Sequence, residues 1–247
     1  MTTLGDCLSD PALTVQELAS SVLATIADAR VLAPLVKALA SSDWIVRMHA
    51  AKALGRIRDP ESVAPLVPLL QDKVKAVRAE ASAALAAIGE ASLPSLLVAL
   101  THDEWLVRLH AVEALGKTKS PEAVDPLLSV LFNDRDRAVR EDAVRALGQV
   151  GDARAVEFLV TAMKEPGLRP LAVEALGRVG DRRAVPVLKH VLEGLDRPET
   201  SRPIEGCGDR WDEEMLTLGA AVRALGAIRD ESAIPSLIKA LHYTVTR

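Results

Sequence analysis

The sequence predicts an all-α chain, a right-handed α-solenoid of about seven helical hairpins occupying residues 1–247 as one domain. Three observations lead to it. The chain of 247 residues is 49% hydrophobic yet holds only three Trp, two Phe and one Tyr. Its core must therefore be Ala, Leu, Val and Ile, whereas a β-sandwich or barrel would draw on aromatic and β-branched strands. One phrase returns at a near-constant period, the signature of a stacked array. Each copy of that phrase has helical rather than strand periodicity.

The phrase reads Val46-Arg47-Met48-His49-Ala50-Ala51-Lys52-Ala53-Leu54-Gly55. It recurs as Val77–Ala86, Val107–Gly116, Val139–Gly148 and Leu168–Gly177, with degenerate copies at Val15–Ala24 and Thr217–Gly226. Its anchoring leucines, Leu23, Leu54, Leu85, Leu115, Leu147, Leu176 and Leu225, are spaced 31, 31, 30, 32, 29 and 49 apart. Val46, Ala50, Ala53, Leu54 and Ile57 share one face of a 3.6-residue helix. A turn follows, at Arg58-Asp59-Pro60, Gly151-Asp152, Gly180-Asp181 or Arg229-Asp230, where Asp can cap the next helix. That next helix is short and carries a proline near its start (Pro34, Pro65, Pro94, Pro126, Pro186, Pro235), where the early N–H groups lack intrahelical partners anyway. Glycines after Ala-Leu are expected to end or tighten the helix. A two-helix unit cannot cover its own apolar stripe, so the units must stack.

The pattern Asp-Pro-x-x-Val-Pro-x-Leu followed by Val-Arg-x-x-Ala-x-x-Ala-Leu-Gly resembles the HEAT-like repeat named after phycobilisome lyases, over residues 11 to 242. The resemblance implies an α-solenoid and several roles: bilin lyases, deoxyhypusine hydroxylase and proteins that only bind other proteins. It also implies that the column Arg47, Arg78, Arg108, Arg140 and Arg169, with Asp43, Asp72, Asp103, Asp134 and Glu165 just upstream, forms an inter-repeat ladder of hydrogen bonds.

Candidate contact residues lie on the second helices, expected to line the concave surface. Trp44 and Trp105 occupy one repeat position and read as aromatic anchors, or as packing at a helix entrance. Five residues before each anchor leucine, His49, Glu80, His110 and Asp142 alternate imidazole and carboxylate and read as a solvated ridge. A metal there is disfavoured, because neighbouring units hold equivalent residues about 10 Å apart, and because neither histidine is followed by Glu as in the hydroxylase pattern. Two before the anchors, Lys52, Glu113 and Arg145 suggest a polar surface suited to charged contacts. The last spacing adds about 18 residues, placing a Pro- and Gly-rich loop near 194–211. Within it, Cys207 reads as an exposed thiol and Trp211 as the anchor that returns the loop to the stack.

The net charge of −4 lacks the positive field of a nucleic-acid binder. No apolar run approaches the roughly 18 residues of a membrane helix. The N-terminus has no secretory pattern, and two cysteines make no disulfide framework, so a cytoplasmic setting is expected. Catalytic triads, phosphate-cradling loops and zinc spacings are absent. The expectation is a non-catalytic scaffold that binds another protein, a related HEAT-repeat chain or a phycobiliprotein among the candidates, with no metal and no cofactor. The resemblance supplies the alternative, a bilin lyase, isomerase or chromophore-handling factor with a tetrapyrrole in its groove. More distantly it suggests a metal-dependent oxidoreductase.

Overall fold

The computed structural model describes residues 29–165, 167–193 and 208–245, with helical positions at Val15, Ala19 and Val22. Every regular element among them is helical, and the chain is an all-α solenoid. Helix α1 (Ala29–Ala38) leads to α2 (Trp44–Ile57). A 3₁₀ turn, α3 (Val63–Leu66) and a second 3₁₀ segment (Val67–Gln71) lead to α4 (Lys75–Ile88). The pairs α5 (Leu93–Ala99) with α6 (Trp105–Thr118) and α7 (Val124–Asn133) with α8 (Arg137–Val150) follow. Next come α9 (Val156–Ala162) with α10 (Arg169–Val179), α11 (Val185–Glu193) with α12 (Gly208–Ile228), and α13 (Ile234–Val245).

The chain divides into two compact units, residues 1–123 and 124–247. In the first, α2, α4 and α6 pack side by side, with α1 on α2, α3 on α4 and α5 on α6. In the second, α8, α10 and α12 pack side by side, with α7 on α8, α9 on α10 and α11 on α12. The anchor leucines Leu54, Leu85, Leu115, Leu147 and Leu176 are fully buried at the centres of these layers. The stretch Lys75–Ala99 is apolar enough on average to cross a membrane, with a mean hydropathy of 1.5. It is broken at Gly89, whose positive φ of 80° ends α4, so it folds back as two helices.

The turn aspartates cap as the pattern predicts. Asp59, Asp152, Asp181 and Asp230 each accept a hydrogen bond from the backbone N–H two residues on, at 2.8–2.9 Å. The glycines after Ala-Leu do something else. They do not end their helices: α2, α8 and α10 each run two residues further. A Cβ at Gly55, Gly148 or Gly177 would lie 2.7, 2.8 or 2.6 Å from the Cα of Ala84, Ala175 or Ala224 on the next long helix. These glycines permit backbones to approach, and helix termination passes to other residues. Gly151 and Gly180 adopt the left-handed conformation at that position, and so do Arg58, Lys119 and Arg229.

The arginine column ties each long helix to the loop that precedes it. Arg47 donates to the Ser41 and Ser42 carbonyls, Arg78 to those of Asp72 and Lys73, Arg108 to those of His102 and Asp103, Arg140 to that of Asp134 and Arg169 to that of Met163. Rungs of the expected ladder connect successive hairpins, Arg47–Asp72 and Arg140–Glu165 among them. Arg47 grips both carboxylate oxygens of Asp72 at 2.7 and 2.9 Å, and Arg140 reaches Glu165 at 3.1 Å. The acid that serves each of these arginines therefore lies 25 residues after it, in the following hairpin.

One sequence expectation changes at the insertion. Residues 208–211 are not loop but the first turn of α12, which is 21 residues long against 14 for α2, α4, α6 and α8. Glu213 on its first turns accepts from the Gly167 N–H at 2.9 Å. That bond ties the lengthened helix to the loop before α10.

Candidate functional site

In the first unit, Trp44 and Trp105 open α2 and α6, and Lys75 holds the same position on α4 between them. Asp43 caps α2 by accepting from the Ile45 N–H at 2.9 Å. His102 performs a similar local service before α6, its Nδ1 accepting from the Glu104 N–H at 3.0 Å. Both indoles are 41% exposed, a large apolar area left in water at a repeated position. With long helices 8–10 Å apart, the two rings are separated by roughly 16–20 Å.

The histidines are not where the pattern placed them. His49 is 1% and His110 6% exposed, so neither belongs to a solvated ridge. For His110 the neighbouring long helix supplies part of the cover. Arg78 on α4 donates from Nε to His110 Nε2 at 3.2 Å. That nitrogen is thus an acceptor, and the ring proton sits on Nδ1, which donates to Glu113 at 3.0 Å. Lys117 holds the other Glu113 oxygen at 2.7 Å.

The hydrogen bond from His110, with that of Lys117, outweighs burial and lowers the Glu113 carboxyl from its ordinary 4.5 to about 2. Such a depressed acid contributes stability above its unfolded value, and the contribution disappears as the pH falls from about 4.5 towards 2. The wild-type melting temperature should drop across that window, and Glu113→Gln should flatten the drop. An identical acid profile in the variant would contradict the assignment.

Between α2 and α4 lies an open groove of about 410 Å³. Lys52, Arg56 and Arg58 form its α2 side, and Glu80, Ala83, Ala84 and Ala87 its α4 side, with Gly55 at the floor. Lys52 and Glu80 were legible as candidate residues. Arg56 and Arg58 carry no such signal in the sequence, since Lys119 and Arg229 put cations at the turn position of Arg58 in other hairpins.

The remaining candidates are not gathered at this groove. Asp142 and Arg145 belong to the second unit and pair with each other at 2.7 Å on α8. In that unit Phe132 and Phe158 are half exposed, with ring centroids 6.2 Å apart. Cys207 and residues 194–206 lie outside the described residues, as does the side chain of Trp211. Among the described residues, no three His, Cys, Asp or Glu side chains gather as a metal site requires.

The HEAT-repeat family model matches residues 1–86, 66–131 and 124–202, and that of the PBS lyase HEAT-like repeat matches residues 218–243. Phycocyanobilin lyase subunit alpha of Nostoc sp. is 30% identical over 173 residues, 62% of this chain and 58% of that protein. Bilin biosynthesis protein PecE of Mastigocladus laminosus is 38% identical over 64 residues, 26% of this chain and 24% of that protein. The chain thus spans less than two thirds of the length of either relative. Yeast importin-β superposes with a TM-score of 0.64 at 14% identity, over 98% of this chain and 37% of importin-β, a likeness of fold alone.

Proposed function

This chain belongs to the HEAT-repeat family, and from that membership we propose that it is a non-catalytic protein-binding scaffold. Its contact surface is the edge of the first unit marked by Trp44, Lys75 and Trp105. The observation that supports this is the pair of half-exposed indoles at one repeat position. Exposed Trp is an uneconomical choice for solubility and a frequent hot spot in protein interfaces, where truncation costs about 2 kcal/mol or more. The partner is another folded protein, with a related HEAT-repeat chain or a phycobiliprotein as the leading candidates. Affinity capture from the native source, repeated with Trp44→Ala and Trp105→Ala, tests the reading. Each substitution should weaken the captured complex by about 30-fold, and undiminished capture by the double variant would reject this edge.

Similarity to the bilin lyase subunit and to PecE favours a second reading, in which the chain handles a bilin chromophore, as an enzyme or beside one. Titrating the same preparation with phycocyanobilin separates the two. A shifted and intensified absorption band supports bilin handling, and an unchanged spectrum rejects it.

A further inference from the structure

We propose that the groove between α2 and α4 binds an extended acidic segment of a partner protein, with Lys52, Arg56 and Arg58 receiving successive carboxylates. This rests on the protein-binding reading for the kind of partner but uses a different surface from the indole row.

Three observations carry it. The first is a broken charge pattern. The positions two before and two after the anchor leucine are four apart on one helix face. On α6 they hold Glu113 and Lys117, and on α10 Glu174 and Arg178, each pair closed at 2.7 Å. On α2 the same positions hold Lys52 and Arg56, two cations whose mutual repulsion costs about what those pairs contribute. Neither has a carboxylate partner among the described residues.

The second is the opposite wall. On α4 these positions are Ala83 and Ala87, so no side chain from α4 fills the space in front of the cations. The Gly55–Ala84 approach brings the two helices together beneath it. The groove exists because α4 lacks the long side chains found there on α6 and α10.

The third is the place of Arg58. It ends α2 with a left-handed φ of 60°, a turn position filled by Gly151 and Gly180 in two other hairpins and by Lys119 and Arg229 in two more. At this turn the residue is a cation, and it lines the groove beside Lys52 and Arg56.

The span of the cations selects the ligand. Lys52 and Arg56 are four residues apart, about 6 Å along the axis of α2, and Arg58 stands just past its end. A single phosphate or carboxylate occupies one guanidinium fork and leaves the other cations unused. An extended chain projects same-face side chains about 7 Å apart, so acidic residues at alternate positions meet the row. Glu80 on the facing wall disfavours a further acid at its side.

The test uses the full chain, with fluorescein-labelled hexaglutamate as probe and anisotropy as readout. Binding should be measurable at low salt and fall by more than ten-fold in 0.5 M NaCl. Arg58→Gly should weaken binding by at least three-fold while the melting temperature stays level or rises, which a folding defect would not produce. Lys52→Glu combined with Arg56→Glu should abolish binding, and Trp44→Ala with Trp105→Ala should leave it intact. Equal affinity of wild type and Arg58→Gly would overturn the proposal. So would competition by glutarate at hexaglutamate's own concentration, which would assign the groove to small diacids. Loss of partner capture in the tryptophan variants with no hexaglutamate binding would remove this groove and leave the proposed function standing.

Discussion

Gly148→Val should destabilise the second unit by about 3 kcal/mol, read as a lower urea midpoint with an unchanged slope. The first atom of the new side chain would meet Ala175 Cα at 2.8 Å and its Cβ at 2.9 Å. The obstacle is backbone, so no rotamer change relieves it. α8 and α10 must separate, opening the apolar seam around Leu147 and Leu176, both fully buried. Gly226 supplies the control. It follows the same Ala-Leu dipeptide, on α12, but a Cβ there meets nothing within 4 Å. Gly226→Ala should therefore stabilise by roughly 0.5–1 kcal/mol, the usual gain of alanine over glycine inside a helix. Stabilisation by both substitutions would disprove the close-approach account.

Arg47→Ala should cost about 3 kcal/mol in the first unit. The guanidinium serves two groups at once: both oxygens of Asp72 and the Ser41 and Ser42 carbonyls. Removing it leaves the Asp72 carboxylate, 10% exposed, with the Val74 N–H at 2.8 Å and the more distant charge of Arg78 to support it. Arg47→Lys should recover less than half of the loss, because an ammonium cannot reproduce the planar fork. Partial burial pushes the Asp72 pKa up, but the Arg47 and Val74 hydrogen bonds hold it below the usual carboxylate range. The contribution is therefore present near neutral pH and should fade as the solution is acidified below about 4. Full recovery of stability by lysine would show that charge alone matters.

Helical hairpins, their turns and their caps were legible in the chain because they depend on short-range rules. A period near 31, apolar residues on a 3.6-residue face and Asp at the turns each act within a few residues of themselves. The capping bonds of Asp59, Asp152, Asp181 and Asp230 follow directly from such spacing. The rungs Arg47–Asp72 and Arg140–Glu165 were expected from the family resemblance, although only the coordinates show which acid serves which arginine.

The site was less legible, because exposure depends on neighbours remote in sequence. His49 and Lys52 are three residues apart on α2, yet the first is 1% exposed and the second borders an open groove. No local pattern separates them: the far wall of the groove at Lys52 is α4, some thirty residues on. The Ala-Leu-Gly glycines teach the same point, looking like helix ends and acting as contact points for alanines 27 to 47 residues away. Amino-acid order alone decided that this chain would form stacked helical hairpins, since helix periodicity and capping are local free energies. Packing between hairpins decided which polar residues face water, because burial is set by the distance to the next helix and not by the residue's own helix.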